Sequence, residues 1–131
     1  MANAIYPAFK QQLLNKEHDL NTDVIKAVLV DLADYVYSAA HSGLSDIPAA
    51  ARVAISGALT SPTIASGVFD TADFSWTAVS GDPCEAIILY NDTHATDALI
   101  AYFDTGMTGM PVTPNGGDIT LTVNASGWFT L

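Results

Sequence analysis

The residues best placed to do chemistry lie in one short stretch, Asn91-Asp92-Thr93-His94-Ala95-Thr96-Asp97. Asp92, His94 and Asp97 offer two carboxylates and an imidazole within a few residues, a donor set that could converge on Ca²⁺ or Mg²⁺ at a loop tip. The spacing is not that of an EF-hand loop, and a polar hairpin turn calls for the same residue types. Asp70 and Asp73 form a second candidate, a pair of carboxylates for acid–base work. No nucleophile, substrate cation or positive stabiliser accompanies them, so turn carboxylates are the expectation. His18 sits between Glu17 and Asp19, which would raise its pKa if they are close in space. His18 and His41 are both expected as satisfied surface histidines. The serines follow no Gly-x-Ser-x-Gly pattern. No catalytic residue, cofactor or metal ligand is therefore assigned, and the chain is not expected to be an enzyme.

Charge narrows the field further. No lysine or arginine follows Arg52, while that stretch holds eight of the fourteen carboxylates. A nucleic-acid surface works by displacing counterions with cations, so no nucleic-acid partner is expected. Phosphate cradles and oxyanion clamps that need Lys or Arg are missing there too. Only 14% of the residues are charged and the formal net charge is −10. The surface must then consist largely of Thr, Ser, Asn, Gly and Ala, which is cheap to desolvate in a protein–protein contact.

The elements that must position these groups fall into two textures within one expected domain of 131 residues. Residues 1–22 read as an N-terminal helix and turn, and residues 23–131 as a β-rich body. Tyr6-Pro7 opens the helix, with Phe9 and Leu13 at i,i+4 and Leu14 widening the stripe. Val24 to Leu32 is a β-branched run, read as a strand buried on both faces in its middle. Ser38 to Leu44 reads as a short helix or turn, with a second short helix expected near 38–46. From Arg52 onward, twelve of the thirteen threonines and most of the Gly and Pro alternate with short apolar runs. The expected strands are 52–56, 67–69, 74–79, 84–91, 99–104, 118–124 and 128–131, with turns at Gly81-Asp82-Pro83, Asp92-Thr93-His94 and Pro114-Asn115-Gly116-Gly117. Apolar runs that end in Asp31-Leu32-Ala33-Asp34, Asp70-Thr71-Ala72-Asp73 and Asp104-Thr105-Gly106 predict turns in which Asp bonds the backbone. The fold class is mainly β (α+β), an antiparallel sandwich or small barrel.

Cys84 beside an apolar run predicts a buried structural thiol. No secretory signal is visible and no apolar run approaches the length of a bilayer span, so the reading is a chain made in the cytoplasm, with no membrane partner. Tyr35 and Tyr37 share a face if extended and are the preferred exposed aromatic pair. Trp76, Tyr35 and Tyr37 could otherwise form a sugar-stacking platform.

Several segments together resemble a family of small virion proteins of tailed bacteriophages. They are Ala4-Ile5-Tyr6-Pro7-x-Phe9-Lys10, Ile25-Lys26-x-x-Leu29-Val30-Asp31, Ala33-Asp34-Tyr35, Tyr37-Ser38-Ala39-Ala40-His41 and Leu44-Ser45-Asp46-Ile47-Pro48. Later come Gly67-Val68-Phe69-Asp70, Leu99-Ile100-Ala101-Tyr102 and Pro111-Val112-Thr113-Pro114-Asn115-Gly116-Gly117-Asp118. The resemblance runs in order over nearly the whole chain and supplies no catalytic residue. It implies a virion component, most simply a head decoration (cement) protein on the capsid surface. Its partners would be the major capsid protein and copies of itself as a dimer or trimer. A tail, neck or baseplate component is the alternative, and a carbohydrate-binding β-sandwich the alternative of another class. Phe9, Leu13, Tyr35, Tyr37, Trp128, Phe129 and Leu131 are the expected contact residues.

Overall fold

The computed structural model describes residues 3–131. Its centre is a five-stranded antiparallel sheet with strand order β1-β8-β7-β2-β3. These strands are β1 (Ala4–Ile5), β2 (Ile25–Val30), β3 (Arg52–Ile55), β7 (Ala86–Asn91) and β8 (Ala98–Phe103). A three-stranded sheet has the order β10-β5-β4, built from β4 (Thr63–Ala65), β5 (Val68–Asp70) and β10 (Phe129–Thr130). A third pair joins β6 (Phe74–Trp76) to β9 (Ile119–Leu121). The chain is mainly β, and the described residues hold one α-helix, α1 (Pro7–Leu14).

The central strands are apolar on both sides because both faces of the sheet are covered. Every residue of β7 and of β8 is buried. Tyr102 and Phe103 are neighbours on β8 and so point to opposite faces. Tyr102 packs against Tyr35 and Tyr37, whereas Phe103 packs against Trp128. One face thus lies under the 31–51 segment and the other under the smaller sheets. Such a strand reads as a continuous apolar run rather than an alternating one, which is why Val24 to Leu32 lacks strict alternation yet forms β2. In β9 the alternation is visible: Leu121 and Val123 are buried and Ile119 is half-buried, while Thr120 and Thr122 are exposed. Trp76 lies over the central sheet and donates its indole N–H to the Ala27 carbonyl at 3.1 Å.

Pro7 occupies the first turn of α1, where its missing N–H costs nothing. Phe9 is fully buried and joins the helix to the β core, in edge contact with Phe129. The chain leaves the helix at Asn15, and Lys16, with φ +63°, reverses its direction.

Of the helix or turn expected over 38–46, the structure takes the turn. Only a single 3-10 turn, Leu44–Asp46, is present. Its surroundings explain this. Leu44 N–H donates to the Asp97 carbonyl at 3.0 Å, and Leu99 N–H donates to the Ser42 carbonyl at 2.9 Å. The backbone therefore pairs with the start of β8 instead of with itself. Gly43 lies so close to the Thr96 carbonyl that a Cβ would sit 2.8 Å from its oxygen. The strand expected over 74–79 stops at Trp76, because Ala78 takes a φ of +50° and donates its N–H to Asp118 Oδ1.

Candidate functional site

After Lys16 the chain doubles back beneath α1. Asp23 Oδ2 accepts the Asp19 N–H at 2.9 Å, Asp19 Oδ1 accepts the Asn21 N–H at 3.1 Å, and the Asp23 N–H donates to the Asp19 carbonyl at 2.8 Å. This compact turn drives His18 and Leu20 inward, and both are buried. Across from it, β4 and β5 form a hairpin whose two turn residues, Ser66 (φ +52°) and Gly67 (φ +79°), take the left-handed conformation that matches strand twist. β10 pairs with β5, setting Phe129 opposite Phe69.

A groove of about 420 Å³ lies between the helix with its return turn and this small sheet. Its apolar lining is Leu13, Leu20, Ile64, Phe69, Phe129 and Leu131, and its polar lining is Lys16, His18 and Asp19. That volume lies in the range of sites that hold a small molecule or an anchoring side chain. Ile64 and Leu131 are about half exposed at its rim, and Leu14 is 86% exposed on the neighbouring helix surface. Lys10 and Lys16 flank Leu14 and are exposed, so this side of an acidic protein carries two of its four cations.

Behind the groove lies a polar network that the sequence reading does not contain. The rings of His18 and His94 stack at 5.0 Å with an interplanar angle of 22°. Phe9 covers His18 from another side at 4.8 Å. Asn91 is fully buried beside them. Its Oδ1 accepts the N–H groups of Thr93 (2.9 Å) and His94 (3.2 Å). Its amide nitrogen therefore faces the other way, donating to Asp23 Oδ2 at 2.7 Å and to His18 Nδ1 at 2.8 Å. The donation to Nδ1 assigns the tautomer: His18 is neutral, with its proton on Nε2, which donates to Gln12 Oε1 at 2.9 Å. His18's pKa is lowered, first by burial and then by His94, against smaller opposing effects of Asp23 and Glu17. Far from being a surface residue with a raised pKa, His18 is 8% exposed and held neutral.

Asp92, His94 and Asp97 do not come together as a cation site. Asp92 pairs with Lys26 Nζ at 3.2 Å. His94 Nε2 meets Glu17 Oε1 at 3.1 Å, and its Nδ1 accepts from the Thr96 hydroxyl and N–H. Asp97, with φ +48°, donates its N–H to the His94 carbonyl and closes the turn. Among the described residues, the acidic side chains that do converge are Asp31, Asp34 and Asp82, with ligand atoms within 4.8 Å of one another. Asp31 Oδ1 there accepts the Ala33 N–H, and Asp34 and Asp82 are exposed turn residues. Asp70 and Asp73 are also structural. Asp70 Oδ1 accepts the Thr71 N–H and Asp73 Oδ1 the Val123 N–H.

The expected contact residues divide. Leu13, Phe129 and Leu131 line the groove. Phe9, Tyr35 and Trp128 are core residues, 0%, 3% and 6% exposed, and are corrected to that role. Tyr35 is not half of an exposed pair, because its hydroxyl bonds Tyr6 Oη at 2.8 Å and His41 Nδ1 at 2.8 Å. Tyr37 is half-buried and stacks on Tyr6 and Tyr102. With Trp76 and Tyr35 buried, these aromatics form no exposed sugar-stacking platform. Cys84 is fully buried, and burial pushes its thiol up to about 11. No helix among the described residues is long and apolar enough to cross a membrane.

No model of a known protein family matches the chain, and no curated protein matches it either.

Ile64 and the β4–β5 hairpin were missed in the sequence. A signal for them exists, since Ser66-Gly67 separates Thr63-Ile64-Ala65 from Val68-Phe69-Asp70 by two residues, a two-residue hairpin pattern.

Proposed function

We propose that this protein is a non-enzymatic virion component of a tailed bacteriophage, a head decoration protein that docks on the assembled capsid through the groove beside α1. The observation that carries docking is the groove, with Ile64 and Leu131 half exposed at its rim and Leu14 exposed on the neighbouring helix. Apolar side chains concentrated at one rim favour removal from water, at roughly 25 cal/mol per Å² buried. The sequence resemblance supports the choice of a phage particle as the surface that covers them. Under this reading the ligand is an apolar anchor of the major capsid protein, and Lys10 and Lys16 favour carboxylates beside it. A protein that binds only the assembled shell stabilises it by mass action, and repetition over the lattice adds avidity.

The test is co-sedimentation of the purified protein with heads of the parent phage that lack it. Saturable binding to heads, lost in a Leu14→Ser/Ile64→Ser double variant that keeps its fold, is the expected result. Binding to tails or necks but not to heads would replace decoration by the tail reading. Failure to bind any particle component would discard both.

A further inference from the structure

We propose that the stacked His18–His94 pair is a proton-operated latch that holds the wall of the groove closed at neutral pH and releases it in mild acid. This inference deepens the docking reading and rests on it for its biological use, though the latch itself is a property of the isolated chain.

The latch joins two pieces of chain that are far apart in sequence. One is the return turn after α1, residues 15–23, which contributes Lys16, His18, Asp19 and Leu20 to the groove. The other is the β7–β8 turn, residues 91–97. The contacts that span them include the His18–His94 stack, Asn91 to His18 and Asp23, and Glu17 to His94; at the base, Val24 is held by its N–H to Thr93 Oγ1 at 2.7 Å and by its carbonyl, which accepts the Asp92 N–H at 2.8 Å. The return turn lies outside the strands of the central sheet, and the other turn meets that sheet only at Asn91, the last residue of β7, so the return turn can swing away while the sheet stays paired.

The geometry makes His18 intolerant of a second proton. Among the described residues, the hydrogen-bond partner of Nδ1 is the Asn91 amide, and that amide is a donor. It cannot flip to offer its oxygen without abandoning the Thr93 and His94 N–H groups. A proton on Nδ1 would thus point at an N–H₂ group, inside a site bounded by the Phe9 ring. The charged groups facing the pair come from every side. Glu17 meets His94, Asp23 stands behind Asn91, Asp19 and Lys16 belong to the groove wall, and Asp92 is engaged by Lys26. Gln12 from α1 and Phe69 and Phe129 from the small sheet are uncharged. Asp23 and Glu17 favour an imidazolium, but burial and His94 outweigh them.

The sign follows. A histidine whose pKa is lowered in the closed state binds fewer protons there than when released. The closed state is unpenalised above the ordinary value of 6.5 and loses ground as pH falls below it, down to the lowered value. Release of His18 frees Leu20 and Lys16 with it and opens one wall of the groove.

The experiment is an NMR titration of the full chain from pH 7.5 to 5. It follows the two imidazoles, the amides of residues 15–23 and 91–97, and the Leu13, Leu20 and Ile64 methyl groups. The expected result is that His18 titrates below 6.5, and that both turns and the groove methyls shift with the same midpoint, while amides in β2, β8 and residues 86–90 of β7 keep their protection. The control is His18→Gln, which keeps an acceptor for Asn91 and a donor for Gln12 but does not titrate. Its groove methyls should not respond to pH. If it does not fold, His94→Phe replaces it, a stacked ring without charge, and should move the His18 midpoint upward. A His18 midpoint at or above 6.5, or groove methyls that ignore it, overturns the latch. Particle binding does not enter this measurement, so failure of the latch and failure of the docking reading are separately visible.

Discussion

Replacing Asn91 with alanine should remove about 3 kcal/mol of stability. The side chain makes four hydrogen bonds, to Asp23, His18, and the N–H groups of Thr93 and His94. A net contribution of about 1 kcal/mol each, somewhat more for the bond to a carboxylate, gives roughly 4–5 kcal/mol. Water can reach the exposed Thr93 and part of His94, which returns about 1–2 kcal/mol of that sum. The remaining loss is the desolvation of His18 Nδ1, left without its donor in a buried site. For a domain of this size, about 3 kcal/mol corresponds to a fall in Tm of roughly 10–15 °C. Urea unfolding at pH 7.5, monitored by tryptophan fluorescence with both midpoint and slope fitted, measures it. Asn91→Asp is the informative companion. It keeps an oxygen for the two turn amides but sets an acceptor against His18 Nδ1 and a carboxylate against Asp23. It should cost as much as alanine at pH 7.5 and recover as pH falls toward 6, when a proton on His18 acquires an acceptor. The wild type should move the opposite way over that range. A cost below about 1 kcal/mol for Asn91→Ala, or parallel pH slopes for Asn91→Asp and wild type, would refute the tautomer and the network built on it.

Gly127→Ala should be severely destabilising, by about 2–4 kcal/mol. Its φ is +87°, and a Cβ would lie 2.8 Å from the Phe69 carbonyl oxygen and 2.7 Å from Val68 Cγ1, so calorimetry should show a large fall in Tm. Cys84 should resist a thiol reagent at pH 8 in the folded protein and react at once in denaturant, because burial raises its pKa to about 11. Acid should act in two windows. The first lies below 6.5, from His18. A second, separate loss should appear below 3.8 as Asp46 protonates, since the backbone N–H groups of Ser42 and Gly43 lower its pKa, and Asp46→Asn should abolish the second alone in stability–pH profiles. Leu14→Ser should leave stability within about 0.5 kcal/mol of wild type, because the side chain is almost wholly exposed.

The legible parts of the sequence were those where local pattern and tertiary environment agree. The helix from Pro7, the period-two run at 119–123 and the turns bonded by Asp31 and Asp70 all follow from short-range chemistry. At 38–46 the turn wins over a helix because its partner is remote, a backbone bridge from Gly43 to Ala98 that no local window contains. β1 was invisible because a two-residue strand carries no periodicity; it exists only through its pairing with Tyr102 and Ala101. The site was least legible of all. Glu17, Asp19 and His18 are adjacent in sequence and suggest a charged histidine. The structure sends His18 inward toward His94 and Asn91, more than seventy positions away.

The location of the groove follows from the way the core is built. A central sheet whose strands are buried on both faces has no free face to offer, so any binding surface must come from the layers that cover it. The 31–51 segment covers one face with Tyr35, Tyr37 and Ile47, and the Tyr35 hydroxyl is tied to Tyr6 and His41 in a phenol–imidazole chain. The opposite cover is assembled from short pieces: the β4–β5 hairpin, the two-residue β10, the β6–β9 pair and the return of α1. Short pieces with few backbone bonds between them leave a seam, and the groove is that seam. Its apolar lining is continuous with the core through Phe69 and Phe9, which favours an apolar occupant. The histidine network supports one wall of it, and is therefore the place where proton concentration can reach it.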